Sequence, residues 1–176
     1  MPEEEGMDIR EAVRKNLETA KRALERDRFL ANMILLVKGG SVLPLPMMGF
    51  EGVPAGESKS RNALAAGLLA RKLGAEMVVM VWDAAMRTMP KGADIDEVDE
   101  TEMPLSYPKS MRTECVVVHG IDLRDGGKHV EIAPYKGGDG EPVEFLEPDK
   151  NLDGAPMDVR FDELILEGYN SCSPIT

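Results

Sequence analysis

The sequence predicts an α+β fold with the element order αββαβββ: a mainly antiparallel five- or six-stranded sheet, two helices packed on one face and a C-terminal arm. Two observations lead to this prediction. Apolar residues recur every three or four positions over residues 9–24 and 64–73, as expected for amphipathic helices. Short apolar runs bounded by glycine pairs lie between and after these stretches, which is typical of strands.

The first helix is predicted over residues 8–26. Asp8 is placed to cap its first turn, and Glu11 follows three residues later in the capping-box position. The remaining side chains are mostly charged, which favours a solvated outer face. Its apolar stripe consists of Ile9, Val13, Leu17, Ala20 and Leu24.

A β-hairpin is predicted next, with residues 30–37 and 42–46 joined by the turn Gly39-Gly40. Pro44 and Pro46 are two residues apart, so their missing N–H groups fall on the same side of the second strand. Such a strand fits only at the edge of a sheet. We expect Leu43 and Leu45 to share one face of the strand and to point into the core.

The segment 47–57 is predicted to be a loop because it carries three glycines and a proline. Its apolar content is high for a loop. Either this segment tucks over the core or it forms a partner-binding surface. The residues that would make the contact are Met47, Met48, Phe50 and Val53.

A second helix is predicted to begin at a cap formed by Ser58 or Ser60 and to end at Gly74. Alanines and a glycine over residues 63–67 would permit close approach to the sheet. The apolar stripe is interpreted as Leu64, Leu68, Leu69 and Leu73.

The run from Met77 to Trp82 is apolar without alternation, which indicates a central strand covered on both faces. A long connection follows over residues 87–112. Within it, residues 94–102 hold six acids and no base, which suits either a solvated loop or a basic protein partner.

A three-stranded antiparallel meander is predicted over residues 114–123, 129–135 and 143–146, with glycine-rich turns between the strands. We expect residues 1–147 to form a single domain. We expect residues 148–176 to form a C-terminal extension in which a short helix begins near Asp158.

This order of elements resembles the profilin-like and Roadblock/longin-type arrangements. The resemblance lies in the element order alone, so it bears on the architecture and not on function.

The charge balance disfavours two classes of partner. The chain has 32 acidic and 21 basic residues and a formal net charge of −11, opposite to the field that binds phosphates or anionic membranes. The N-terminus is acidic where a secretory signal would be basic. The only cysteines are Cys115 and Cys172, which favours free thiols in a cytoplasmic protein.

One stretch has the opening half of a calcium-binding loop. Asp149, Asn151 and Asp153 supply oxygen ligands at alternate positions, and a glycine follows at the turning position. The position of the closing bidentate glutamate is Arg160, and ordinary turns also favour Asp, Asn and Gly. We therefore expect no cofactor, with calcium at these three residues as the alternative.

A few titratable residues could carry chemistry. Asp83 follows the central strand, and His119 and His129 flank a turn, so that they could face each other across the meander. Cys115 lies on the same face as His119 but two pleats away, and no orienting third residue is visible.

The sequence thus favours a non-enzymatic protein-binding or scaffold module that forms a homo-oligomer, without nucleic acid or membrane partners. The alternative is a metal-assisted or acid/base hydrolase-like enzyme with a cleft near Asp83 and His119.

Overall fold

A computed structural model describes residues 6–48, 55–87, 112–147 and 160–171. These residues form three helices and six strands. In chain order the elements are α1 (Ile9–Asp27), β1 (Met33–Lys38), β2 (Ser41–Pro46), α2 (Ala55–Leu73), β3 (Met77–Arg87), β4 (Arg112–Asp122), β5 (Lys128–Gly138), β6 (Glu141–Phe145) and α3 (Arg160–Asn170). None of the helices in these ranges is long and apolar enough to cross a bilayer.

The six strands form one antiparallel sheet in the order β2-β1-β3-β4-β5-β6. The predicted α+β class and mainly antiparallel sheet are therefore confirmed. The run ending at Trp82 lies in an interior strand, and β3 and β4 pair over eleven residues from Met77–Asp122 to Arg87–Arg112. Asp83 does not end this strand, because the ladder continues for four further residues.

The edge position of β2 is also confirmed. Backbone groups on an antiparallel strand alternate between facing the neighbour and facing away. Pro44 and Pro46 pair with Leu35 and Met33 of β1 at positions that face away, so their missing N–H groups cost no ladder bond. Of the three outward positions of β2, only Val42 has an N–H to offer. This edge therefore presents carbonyl oxygens and almost no donors.

The helices cover both faces of the sheet. Asp8 caps α1 as predicted, since its Oδ1 accepts a hydrogen bond of 2.9 Å from the N–H of Glu11. The buried stripe of α1 packs on the face that carries Val79 and Val118, which we call the α1 face. Two helices do share the opposite face, but they are α2 and α3, whereas the expected pair was α1 and α2. The order of the elements along the chain does not determine which face of the sheet each helix covers.

The side of α2 that meets the sheet differs from the predicted leucine stripe. The helix begins at Ala55, before either predicted serine cap, and it buries Ala63, Ala66 and Ala70 against the sheet. Leu69 and Leu73 remain 38% and 45% exposed. Small side chains face the sheet because they let the helix backbone approach closely, and the leucines are displaced to the flanks.

Two glycines allow α2 and α3 to cross in close contact. A Cβ on Gly67 would lie 2.0 Å from the carbonyl oxygen of Ile165, and a Cβ on Gly168 would lie 2.2 Å from that of Leu64. Both distances are too short for any side chain larger than hydrogen. Arg71 of α2 adds a stacking contact at 4.8 Å from the ring centre of Tyr169. The predicted C-terminal helix is therefore firmly packed on the sheet domain.

Candidate functional site

Asp83 and His119 lie on opposite faces of the sheet. Register pairs Met80 with His119, so His119 shares the α2/α3 face with Trp82, whereas Asp83 lies on the α1 face with Val81. The single cleft expected near Asp83 and His119 does not exist, because the sheet separates the two side chains. The two residues cannot act together on one substrate.

Asp83 is engaged with a buried tyrosine on the α1 face. The hydroxyl of Tyr135 donates a hydrogen bond of 2.7 Å to Oδ1 of Asp83. Loss of hydration on burial raises the pKa of Asp83, despite this bond, and the nearby charge of Asp139 adds to the effect. Burial and the neighbouring carboxylate raise the pKa of Tyr135 as well. This pair fixes the end of β5 to β3.

The two histidines do not face each other. Register pairs His129 with Gly120, one residue beyond His119, so the two rings lie on opposite faces. His129 instead contacts Glu131, with Nε2 and Oε1 3.1 Å apart, and Arg14 of α1 reaches the same oxygen at 3.1 Å. His129 therefore belongs to a surface charge cluster, and the expected histidine pair is wrong.

Cys115 is placed as an unreactive core thiol. It is fully buried, and its Sγ donates to the carbonyl oxygen of Ala84 at 3.4 Å. Burial, together with the negative charges of Asp83 and Glu114, raises the pKa of the thiol to about 12. The thiolate is the nucleophile in cysteine chemistry, so this residue does not form a Cys–His nucleophilic pair with His119.

We expect Cys115 to resist alkylation in the folded protein. In a Cys172→Ser variant, iodoacetamide at pH 8 should label less than about a tenth of Cys115 in the time that labels the urea-unfolded chain completely, because almost no thiolate is present and the sulfur is enclosed. Intact-protein mass spectrometry measures the labelled fraction. Equal labelling rates in the two states would contradict the assignment.

His119 belongs to a buried charged cluster that the sequence did not reveal. Its Nε2 lies 2.8 Å from Oδ1 of Asp162 in the first turn of α3, and Lys128 Nζ lies 3.2 Å from the other carboxylate oxygen. His119 and Asp162 are both nearly inaccessible, whereas Lys128 is partly exposed. The His119 ring is not aligned for a directional hydrogen bond to Asp162.

The charges of this cluster determine the state of Asp162. Burial alone would raise the pKa of its carboxyl, but His119 and Lys128 together outweigh burial and hold the pKa below its usual value. The N-terminal end of α3 adds a favourable field for a carboxylate. Asp162 is therefore ionised at neutral pH.

The aromatic pair Trp82 and Phe161 packs beside the cluster. The ring centre of Trp82 lies 5.8 Å from that of Phe161 and 6.5 Å from that of His119. Together with the cluster, this contact attaches the start of α3 to β3 and β4. His119 and Asp162 are both nearly inaccessible, and their contact holds the start of α3 against the sheet.

Several predicted site residues lie outside the described ranges. These are Phe50, Val53, the acidic stretch 94–102 and the calcium candidates Asp149, Asn151 and Asp153. Among the residues that are described, no group of three or more His, Cys, Asp and Glu side chains is arranged to hold a metal ion.

The predicted partner-binding methionines are described in part. Met47 is half-buried against the core of the α2/α3 face, and Met48 is 60% exposed. Two hydrogen bonds join Met48 to α2, because Asn62 Nδ2 donates to the Met48 carbonyl at 2.8 Å and the Met48 N–H donates to Asn62 Oδ1 at 3.2 Å. Asn62 therefore marks the flank of α2 that faces β2.

That flank also carries two exposed leucines. At 100° per residue, Leu69 and Leu73 lie within about 20° of Asn62 around the helix axis. At the other end of α2, Lys38 Nζ donates to the carbonyl oxygen of Leu73 at 3.1 Å. Both ends of this flank are thus tied to the β1–β2 hairpin.

The facing side of β2 is apolar too. Leu43 and Leu45 pair with Leu36 and Ile34, whose side chains lie beneath α2. Leu45 is half-buried, but Leu43 is 45% exposed. We call the surface made by Leu43, Leu45, Met47, Leu69 and Leu73 the β2–α2 patch. The sequence prediction missed this patch because it placed the leucines of α2 in the core. The helical spacing of Leu69 and Leu73 from Asn62 is the signal that would have placed them on one flank.

No charged side chain interrupts the β2–α2 patch. The strand itself has none, and neither does the Asn62 flank of α2. One lysine lies at its hairpin end, since Lys38 contacts Leu73. Glu76 lies beside the β1–β2 turn, where it accepts from Gly39 N–H at 3.4 Å and lies 3.7 Å from Arg124.

Comparison with known proteins adds no further constraint. The chain matches no protein-family model, no curated protein and no solved structure.

Proposed function

We propose that this chain is a non-catalytic protein-binding module that assembles with copies of itself, and that the β2–α2 patch is its contact surface. The carrying observation is the patch: an edge strand and a helix flank that present partly exposed leucines on the same face of the sheet. Exposed apolar surface of this kind marks interaction sites in soluble proteins.

The structural contacts of the titratable groups support a binding role. The start of α3 is held by the cluster of His119, Asp162 and Lys128, and Tyr135 is held by its hydrogen bond to Asp83. The raised pKa of the Cys115 thiol disfavours a nucleophilic role for this residue. The depression along the outer side of α1 is open and lined by alternating charges such as Arg14 and Glu18. It excludes no water, which distinguishes it from a catalytic pocket.

The backbone of β2 supports contact through side chains. Pairing of β2 edges from two copies would leave most outward carbonyl oxygens without donors, because Pro44 and Pro46 have no N–H. The leucines on the α2/α3 face carry no such restriction. The proposed contact therefore buries aliphatic side chains and does not extend the sheet.

We expect Leu43→Glu and Leu69→Glu each to prevent assembly. Full burial of a leucine contributes roughly 1.5–3 kcal/mol, so a glutamate at either position should weaken association by at least about tenfold. Size-exclusion chromatography with light scattering over a range of concentrations should give a multiple of 19.3 kDa for the native chain and 19.3 kDa for the variants.

The control is Phe29→Glu, which removes a side chain that is 68% exposed outside the patch. It should leave the assembly unchanged. A native chain that is monomeric at every concentration would overturn the proposal, as would Leu43 and Leu69 variants that assemble like the native chain.

A further inference from the structure

We infer that α3 fixes the position of α2 on the sheet and thereby controls assembly through the β2–α2 patch. This inference rests on the proposed function and concerns the regulation of the same surface. It follows from three features of the structure: the placement of α3 and the patch on different sides of α2, the small side chains beneath α2, and the buried contacts that hold α3.

The helix α2 presents three sides to three neighbours. Measured around the helix axis from Asn62, the patch residues Leu69 and Leu73 lie within about 20°. The buried alanines of α2, which face the sheet, lie at about 40–100°. Gly67 and Arg71, which contact α3, lie at about 140–180°. The sheet-facing side of α2 therefore lies between the α3 side and the patch side.

The sheet resists sideways movement of α2 only weakly. The buried residues of α2 that meet the strands are alanines, and a methyl group interlocks with neighbouring side chains far less than a leucine does. The hairpin holds α2 at two points, through Asn62 with Met48 and through Leu73 with Lys38. These hydrogen bonds are exposed, and water competes for their donors and acceptors. The support from α3 therefore has the greatest influence on where α2 lies.

The contact of α3 with α2 is rigid because backbone meets backbone. Gly168 approaches the carbonyl oxygen of Leu64 so closely that no Cβ fits, and Gly67 makes the reciprocal approach to α3. No side-chain rotation can relax either contact. At the start of α3, the 2.8 Å contact of Asp162 with the buried His119 holds the helix against the sheet. The position of α3 is thus passed directly to α2.

Release of α3 would leave α2 without support on one side. Leu64 and Leu68, which are half-buried, would then become more exposed to water. A small roll or shift of α2 toward the vacated side buries them again, as packed helices do in shear motions. The same movement carries Leu69 and Leu73 away from Leu43, so the two halves of the patch separate. Docked α3 therefore favours assembly, and by thermodynamic reciprocity assembly favours docked α3.

Asp162→Ala and Gly168→Ala test this coupling, because both loosen α3 and neither residue belongs to the patch. We expect each variant to raise the dissociation constant of the assembly by roughly tenfold, within the range that is typical of coupled sites. Light scattering over a dilution series measures this constant, at a temperature where circular dichroism shows that the variant is folded. The native dissociation constant in both variants would overturn the inference.

Leu17→Ala is the matched control for lost stability. Leu17 is buried between α1 and the opposite face of the sheet, so its truncation destabilises the chain without touching α2 or α3. This variant should assemble like the native chain. If Leu17→Ala weakens assembly as much as Asp162→Ala does, the effect is one of general stability and the inference fails.

Hydrogen exchange followed by mass spectrometry tests the coupling in the reverse direction. In the native chain, the amides of α3 should exchange several-fold more slowly at concentrations where the chain is assembled than where it is monomeric. The Leu43→Glu variant, which is expected to remain a monomer, should show no such dependence on concentration. Equal exchange of α3 in the assembled and the monomeric native chain would also contradict the inference.

The outcomes distinguish this inference from the proposed function. A native chain that assembles, a Leu43→Glu variant that does not, and unchanged assembly of Asp162→Ala and Gly168→Ala would retain the patch and remove the coupling. A native chain that is monomeric at every concentration overturns the proposed function and, with it, this inference.

Discussion

Gly168→Ala is expected to detach α3 and to lower the free energy of unfolding by about 2–3 kcal/mol. The new methyl group would lie 2.2 Å from the Leu64 carbonyl oxygen and 3.1 Å from the Leu68 nitrogen. Both are backbone atoms of α2 and cannot rotate away. The helices must separate, which also withdraws Phe161 from Trp82.

The sign of this effect makes it diagnostic. Inside a helix, alanine is normally more favourable than glycine by about 1 kcal/mol, so an α3 that did not contact α2 would be stabilised by the change. Urea unfolding followed by circular dichroism measures the difference, and Trp82 fluorescence reports the position of α3, since Trp82 is the only tryptophan.

Gly40→Ala is the matched control, because a Cβ at Gly40 meets no atom within 4 Å. It should change stability by less than about 0.5 kcal/mol. A Gly168→Ala chain as stable as the native one would show that the close crossing of α2 and α3 is absent.

Asp162→Ala is expected to cost about 3 kcal/mol of stability. Removing the carboxylate leaves the Lys128 ammonium without its partner and takes away the 2.8 Å contact of the buried His119 ring. Lys128 is partly exposed and can turn to water, whereas His119 is enclosed. Chemical denaturation of the variant and of a Lys128→Met variant should show the smaller loss for Lys128→Met.

The same pair predicts a pH dependence. The pKa of Asp162 is lowered in the folded chain, while in the unfolded chain it returns to about 3.9. The unfolded chain therefore takes up the proton first as the pH falls. The contribution of Asp162 to stability is complete above about pH 5 and is lost as the pH falls through the folded pKa.

Urea midpoints measured from pH 6 to pH 3 test this sign. The free energy of unfolding should fall more steeply for the native chain than for Asp162→Asn, which cannot ionise at this position. Parallel curves would mean that the Asp162 carboxylate contributes nothing through its charge.

Local sequence patterns were sufficient to locate the helices and strands. They did not show which face of the sheet each helix covers or which side of a helix meets the sheet. The glycine pair and the prolines located the hairpin and its edge strand, and the apolar run to Trp82 located an interior strand. Which face a helix crosses to is set by connection geometry, and nothing near α1 encodes it. The α2 stripe was misread because hydrophobicity ranks leucine above alanine, whereas a close helix–sheet contact selects the smaller residue.

The cluster of His119, Asp162 and Lys128 could not be predicted from the sequence, for a different reason. His119 was recognisable as an isolated histidine on a strand, but its partner Asp162 lies in the C-terminal helix, far along the chain. No periodicity relates the register of α3 to that of β4. Asp162 itself resembled an ordinary acid in the first turn of a helix, a position that favours acids without any partner.

The donor-poor border of β2 has a consequence for the fate of the chain at high concentration. Fibrils grow when strands of successive molecules join backbone to backbone, and growth requires a free N–H at alternate positions of the exposed strand. Two prolines withhold those groups from β2. β2 therefore cannot template such a stack, and any fibril of this chain would have to grow from the opposite edge strand, β6.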